Sequence, residues 1–314
     1  MLLSRSAYWQ NLLNASLPPP LIAARNSDGS WIAQTQSSTN NYVEGNAGQY
    51  TWMVPFNPVG PFAQLGGNTA AVSRLNAFFT VLNAGMSLPN FYMGDEPTFE
   101  VPWLYNWAGS PSGTQNVVQQ IMANAFGTGP NGLPGNDDLG AVSGWYVWGA
   151  LGLYPGIPGV GGLAIGSPQF ASITVHLGNG KTLRIHAPGA PSAKYVQSLS
   201  VNGAAHHGSW LDIEALASGA TLNFVMGSSP SQWGDERGGR TPFVSGAARA
   251  ECGRRIQQPR HRQRRQHRYR WSGCGLRRLA VQLLVAGLDG GGRGAGQTVL
   301  LQWRELRLVW RPAR

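Results

Sequence analysis

The chain has 314 residues, enough for one large domain or two modest ones, and its net charge of +10 is unevenly distributed. Residues 1–240 contain 8 Lys and Arg against 11 Asp and Glu, whereas residues 241–314 contain 16 against 3. No segment is apolar for long enough to span a bilayer, the opening residues do not form a signal peptide, and both cysteines lie in the basic tail, which excludes a membrane span and thiol chemistry in the first 240 residues.

Three segments of the first half, 6–16, 71–84 and 115–126, place apolar residues three and four positions apart, the spacing of amphipathic helices. A fourth helix is predicted to begin near Ala141 and to end before Pro155, which cannot continue it. Four tryptophans of the predicted helical region have helical spacing, which is more typical of core packing than of sugar platforms: Trp103, Trp107, Trp145 and Trp148.

The pattern changes after Pro158 to short runs that alternate apolar and polar residues, which predicts antiparallel strands. Turns are expected at Asn179-Gly180 and Asn202-Gly203, because Asn-Gly favours tight hairpins. We therefore predict a helical region over 1–158, a β-rich region over 159–240, and a separate Arg/Gly-rich tail over 241–314.

The tail has three interpretations. A basic arm that binds nucleic acid would need aromatic residues interleaved on a defined face, and the tail has no such pattern. A disordered linker fits the composition better. We favour translation out of frame, because the break is abrupt, the basic residues are Arg, and no binary pattern is present. The tail is then expected to have no function, and no nucleic acid is expected as a partner.

Acidic residues of the first 240 positions concentrate on three long loops between the helices. Glu44 stands alone, Asp95 and Glu96 are followed by Glu100, and an adjacent pair follows at Asp137 and Asp138. Glycoside hydrolysis needs two carboxyl groups, and calcium needs several oxygen ligands, so one shared pocket is an attractive interpretation. The alternative is that these side chains are solvated or cap helices, as the residues just before the fourth helix could do.

Four ordered segments resemble the signature blocks of glycoside hydrolase family 92. They are YVEGNAGQYTWMVP (42–55), YMGDEPTFEVPWLYNWAGSPSGTQ (92–115), LPGNDDLGAVSGWYVWGALGLYPGIPG (133–159) and IGSPQFASITVHLGNGKTLRI (165–185). This resemblance covers residues 1 to about 240 and implies an incomplete (α/α)6 barrel followed by antiparallel β strands, mainly α with a β-rich C-terminal part.

The resemblance further implies a calcium-dependent, inverting exo-α-mannosidase that removes terminal mannose, α-1,2-linked in the first instance, from N-glycans or other mannose-containing oligosaccharides. The parent enzyme is expected to be secreted or periplasmic. The N-terminal portion of such an enzyme is expected to be a partner for this chain.

Matched to the family motifs, Glu44 is expected to be the general acid and Asp138 the base that activates water, with Asp137 as a helper. Asp95 and Glu96 are expected to bind Ca²⁺. Three amides near these carboxylates are predicted to contact substrate: Asn46, Gln49 and Asn136. Asn46 and Gln49 could instead brace the backbone of the Gly-rich loop on which they lie.

The chain also departs from the family pattern. Many members have Trp where Gly48 stands, His-Asp in place of Phe56-Asn57, and Lys in place of Gly113. These departures leave a second functional hypothesis, an inactive remnant or a sugar-binding fragment that binds calcium or mannose without turnover. A third hypothesis, nucleic-acid binding through the tail, predicts association that weakens with salt and disappears when residues 241–314 are deleted.

Overall fold

The computed structural model describes residues 5–235 together with two strands at 280–285 and 298–302. Most of the segment 241–314, and with it the prediction of a functionless tail, lies outside the described residues. The helices are α1 (Ala47–Tyr50), α2 (Val59–Gln64), α3 (Asn68–Phe78), α4 (Pro111–Asn124), α5 (Ala141–Leu151) and α6 (Glu214–Ala217). Short 3-10 helices cover Tyr8–Leu12, Glu96–Thr98 and Val101–Asn106.

The strands follow in chain order and pair in three sheets. They are β1 (Leu13–Asn14), β2 (Leu21–Ile22), β3 (Leu153–Tyr154), β4 (Gly162–Ile165), β5 (Ser172–His176), β6 (Thr182–His186), β7 (Tyr195–Val201), β8 (Ala204–His206), β9 (Trp210–Asp212), β10 (Ala220–Gly227), β11 (Ala280–Val285) and β12 (Thr298–Gln302). The sheet orders are β1-β2, β3-β4-β9 and β12-β11-β5-β6-β10-β7-β8.

The β-rich region matches its prediction in its strands but not in every pairing. All neighbouring strands are antiparallel except β6 and β10, which run parallel in the register Leu183 opposite Ala220. The predicted turn at Asn202-Gly203 is confirmed, since both residues have positive φ between β7 and β8. An entirely antiparallel arrangement is therefore wrong at the centre of the large sheet.

Helix α5 begins where the sequence predicts but ends four residues before Pro155. Gly152 adopts a left-handed conformation with φ 69° directly after Leu151, which ends the helix. Tyr154 then pairs with Ala164 in a strand. Helix α3 likewise ends at Phe78, because the Asn90 side chain donates hydrogen bonds to the carbonyl oxygens of Ala77 and Phe78.

The helix predicted over 6–16 is wrong. Only a short 3-10 helix forms, and strand β1 follows it immediately. Asn14 accepts hydrogen bonds from the backbone amide and the hydroxyl of Ser16. This local bonding competes with the helical ladder, and three prolines at 18–20 prevent its continuation.

Two hydrophobic cores meet along the boundary between the helical and β-rich regions. The first contains the aromatic residues of the helical region, among them Trp103, Trp107 and Trp145, which confirms their packing role. The second lies on the large sheet, with Trp148 packed partly against it. The fold is thus a mixture of helices and mostly antiparallel sheets. The described residues do not show a closed (α/α)6 barrel, which stays a prediction, and none of their helices is long and apolar enough to cross a membrane.

Candidate active site

Glu44 lies on an exposed bend directly before helix α1. Its φ of 56° is in the left-handed region, which is uncommon for a residue with a side chain. The next element is fixed by a capping box, in which the Asn46 side chain accepts from the Gln49 amide and the Gln49 side chain accepts from the Asn46 amide. A rigid helix start therefore holds the backbone next to the Glu44 carboxylate.

Asn46 and Gln49 also brace this helix against segment 85–90. The Asn46 side-chain amide donates to the carbonyl oxygens of Met86 and Leu88, at 2.9 and 2.8 Å. The Gln49 amide donates to Gly85 and Asn90. Both side chains are buried, with at most 1% of their surface exposed. The structure therefore realises the bracing alternative for these two amides.

Asp95 is buried next to two other carboxylates. Its Oδ1 accepts from the Glu96 amide at 3.1 Å, whereas its Oδ2 is enclosed without a hydrogen-bond partner among the described residues. Burial raises the pKa of Asp95 to about 7, aided by the neighbouring Glu96 side chain and by the negative charges of Glu44 and Glu96. The pKa of Tyr92 is raised by burial and by the charges of Asp95 and Glu44. Glu44 and the 92–96 segment thus form one acidic cluster.

The Asn136-Asp137-Asp138 segment divides into a structural residue and two exposed ones. Asp137 accepts from the Ser143 amide at 2.7 Å and from the Ser143 hydroxyl at 2.9 Å, and it thereby caps helix α5. Asn136 and Asp138 are exposed, and Asp138 has a φ of 38°. Asp137 therefore caps the helix, as the alternative interpretation predicted. The Asp138 residue is exposed to solvent.

The second and third acidic loops are fastened to each other. The Asn83 side chain accepts from the Gly94 amide and donates to the Pro134 carbonyl, both at 3.0 Å. Gly94 and Gly135 approach so closely that a Cβ at Gly135 would overlap the carbonyl oxygen of Gly94. Segment 83–90, which also receives the Asn46 and Gln49 amides, is therefore the common support of all three acidic loops.

Sequence reasoning assigned no role to Asn83, and its signal is weak because a single Asn in a loop resembles any turn residue. It likewise assigned no role to Glu100, whose Oε1 is enclosed without a partner in the described part of the chain. Burial raises the pKa of Glu100 to about 8. The pKa of Tyr154 is raised mainly by burial and, to a smaller extent, by the negative charge of Glu100. Glu100 therefore interacts with Tyr154. The Tyr154 ring stacks in turn on Trp103, with a centroid distance of 5.0 Å.

Residues 5–235 contain no group of three His, Cys, Asp or Glu side chains arranged to bind a metal ion. Asp95 nevertheless suits a hard cation, because its enclosed Oδ2 has no other partner and its neighbours repel its negative charge. Carboxylates of this chain would need amide or carbonyl oxygens to complete a calcium coordination sphere.

Comparison with known proteins gives a consistent result. Residues 1–228 match the family model described as glycosyl hydrolase family 92 catalytic domain. An uncharacterized secreted glycosidase of Arthroderma benhamiae is 28% identical over 257 residues, which are 73% of this chain and 32% of that protein.

Solved structures of two Bacteroides thetaiotaomicron enzymes are also similar. A family GH92 α-mannosidase is 31% identical with a TM-score of 0.71, covering 77% of this chain and 32% of that chain. A structure of the same enzyme in complex with mannoimidazole is 29% identical with a TM-score of 0.69, covering 77% and 34%. A family GH92 inverting mannosidase is 26% identical with a TM-score of 0.68, covering 77% and 35%. The chain spans about a third of the length of these relatives.

Proposed function

Because the chain belongs to glycoside hydrolase family 92, we propose that it carries the part of an exo-α-mannosidase that removes terminal non-reducing mannose from glycans. The similar solved structures are α-mannosidases, and one of them binds mannoimidazole. We also propose export of the parent enzyme, because the related Arthroderma protein is named as secreted. The observation that carries the proposal is the common support of the three acidic loops on segment 83–90, with Glu44 next to Asp95.

The proposed reaction is a single displacement with inversion at the anomeric carbon. Glu44 donates its proton to the departing glycosidic oxygen as the carbon–oxygen bond breaks. Asp138 takes a proton from a water molecule whose oxygen forms the new bond to the opposite face of the sugar. The exposure of both side chains leaves them free to contact a substrate and a water molecule. Asp137 contributes by fixing the backbone beside Asp138 through its cap on helix α5.

Asp95 and Glu96 are the proposed ligands of a Ca²⁺ ion. A calcium ion bound there would neutralise the acidic cluster and coordinate hydroxyl groups of the terminal mannose. The Asp95 carboxylate would then gain a partner for its enclosed Oδ2. Asn136 is exposed beside Asp138 and stays a proposed substrate contact.

A sugar-binding fragment without turnover is the second candidate. It is favoured by the departures from the family pattern at Gly48 and at Phe56-Asn57. It predicts that mannose or mannoimidazole binds in a calcium-dependent manner while no mannose is released.

Real-time proton NMR of α-1,2-mannobiose with the purified chain tests the proposal, with calcium and with a chelator. We expect free mannose that appears first as the β-anomer, and only with calcium. The α-1,3 and α-1,6 isomers in parallel define the linkage preference. Initial release of the α-anomer would contradict the inverting mechanism. Binding of mannoimidazole by the folded chain without any release would favour the sugar-binding fragment.

A further inference from the structure

A pocket is lined by residues of helix α1, helix α3 and segment 85–90. Its volume is about 180 Å³, and it is lined in part by Gln36, Gly48, Trp52, Arg74, Pro89 and Asn90. The pocket combines aromatic and aliphatic walls with amide groups and one guanidinium. It is distinct from the acidic cluster, because none of its lining residues is an Asp or Glu.

Arg74 is the charged residue of this pocket and has no counter-ion among the described residues. Its Nη1 donates to the Pro20 carbonyl at 2.8 Å, and its Cζ lies 5.4 Å from the centroid of the Trp52 ring. Its Nη2 is enclosed without a hydrogen-bond partner in the described part of the chain. Burial lowers the pKa of Arg74 to about 10, so the group stays charged at neutral pH. A desolvated cation in this state favours any anion that reaches it.

Gly48 makes room for the pocket. A Cβ at this position would approach the Pro89 Cβ to 2.8 Å and the Gln36 carbonyl oxygen to 3.1 Å. A larger side chain at this position would therefore crowd the pocket wall at Pro89 and Gln36. Gly48 lies in α1 with Gln49, whose side chain bonds to the Asn90 carbonyl, so the pocket and the Glu44 loop share one support.

We propose that this pocket binds an oxyanion, a phosphate or carboxylate group, through the guanidinium of Arg74. The group can be a free ion or a substituent on a sugar. The cation supplies the charge, and Trp52 and Pro89 form apolar walls of the same pocket. This inference does not depend on mannosidase activity.

Isothermal titration calorimetry with inorganic phosphate tests the proposal, using the full chain and Arg74→Gln. A charge-assisted contact predicts that phosphate binding weakens at least about tenfold in Arg74→Gln. Arg184→Gln is the matched control, because Arg184 is exposed on β6 and far in sequence from the pocket residues, and we expect it to bind as the wild type does. Arg74→Lys keeps the charge and should retain part of the affinity if the variant with Gln does not fold.

A comparison of mannose 6-phosphate with inorganic phosphate and mannose separates the two sources. Stronger binding of mannose 6-phosphate that depends on Arg74 indicates an anion carried on a sugar, whereas equal Arg74-dependent binding indicates a free ion. Absence of phosphate and mannose 6-phosphate binding by the folded wild-type chain would overturn the proposal. Equal weakening in Arg74→Gln and Arg184→Gln would overturn it as well, because it would reflect net charge rather than this pocket.

Discussion

Asp95 makes the stability of the fold depend on pH. Its pKa of about 7 in the folded chain is above the ordinary value of 3.8 for an unfolded Asp. The folded state therefore retains a proton that the unfolded state has lost, and the associated stabilisation is complete below about pH 4 and lost as the pH rises through 7. Glu100, with a pKa of about 8, acts in the same direction.

We predict that the free energy of unfolding in chelator falls between pH 5 and pH 8, by roughly 2 kcal/mol from Asp95 and by more than that from Glu100, and that Asp95→Asn removes only the Asp95 part. Urea unfolding at the two pH values measures it. Asp212→Asn, at an exposed position on β9, is the control and should leave the fall unchanged. An unchanged fall in Asp95→Asn would show that this carboxyl does not resist ionisation in the fold.

Asp137 and Asp138 are adjacent, but substitution of Asp137 is expected to lower stability, whereas substitution of Asp138 is expected to lower activity. Asp137→Ala removes two hydrogen bonds at the start of helix α5 and should lower the free energy of unfolding by about 1 kcal/mol. Asp138→Asn should leave stability nearly unchanged and lower mannose release by about 10²-fold or more, because it removes the proposed base. Urea unfolding and initial rates measure the pair. A large stability loss in Asp138→Asn, with full activity, would contradict the assignment.

At the scale of elements, the close approach of Gly94 and Gly135 joins two of the acidic loops. Gly135→Ala places a methyl group against the Gly94 carbonyl, so the loops must separate. We expect weaker calcium binding by calorimetry and a lower thermal midpoint. Gly129→Ala is the matched control on the same loop, because a Cβ there meets nothing within 4 Å. Similar behaviour of the two variants would mean that this contact does not position the site.

The sequence predicted the elements that depend on local patterns and missed those that depend on distant partners. Strands β5, β6, β7 and β10 follow directly from alternation, and helix α4 from its apolar spacing. The parallel pairing of β6 with β10 could not be predicted in this way, because the alternation of apolar and polar residues does not determine which strands pair or in which direction. The early end of helix α3 depends on Asn90, twelve residues further along the chain, which no local pattern reveals.

For the candidate site, the positions of the carboxylates on loops could be predicted, but the roles of the amides could not. The side chains of Asn46 and Gln49 form hydrogen bonds with each other's backbone amides and with carbonyl oxygens of segment 85–90. These bonds depend on the folded backbone and could not be predicted from the sequence. Asn83 was missed for the same reason, since its two partners, Gly94 and Pro134, lie on different loops. Motif resemblance therefore proposed the residues of the site, while the structure separated its supports from its exposed carboxylates.

At the scale of the whole molecule, the helical and β-rich regions are joined by buried polar contacts. The Gln115 side chain on helix α4 accepts from the Val196 amide on β7 at 3.0 Å. The Asn106 side chain donates to the carbonyl oxygens of Ile165 and Ser209. The bond from Asn106 to Ser209 joins the chain neighbours of Trp107 and Trp210, whose rings also make contact across the two sequence regions. We therefore expect both regions to unfold together.

Gln115→Ala should lower the free energy of unfolding by roughly 1–3 kcal/mol, because it leaves the buried Val196 amide without its acceptor. Gln120→Ala is the control, since the same residue type is exposed on the same helix. Calorimetry should show one thermal transition in the wild type and both variants. Two separate transitions in the wild type would contradict a joint fold.

The most direct test of the central claim, that Glu44 is the general acid of a mannosidase site, compares two substrates in Glu44→Gln. We predict that release of mannose from α-1,2-mannobiose falls by about 10²–10⁴-fold, whereas hydrolysis of 2,4-dinitrophenyl α-mannoside, whose leaving group needs no proton, falls far less. Glu214→Gln, at an exposed position on helix α6, should behave as the wild type on both. Undiminished release from mannobiose by Glu44→Gln, or an equal loss on the two substrates, would contradict the account.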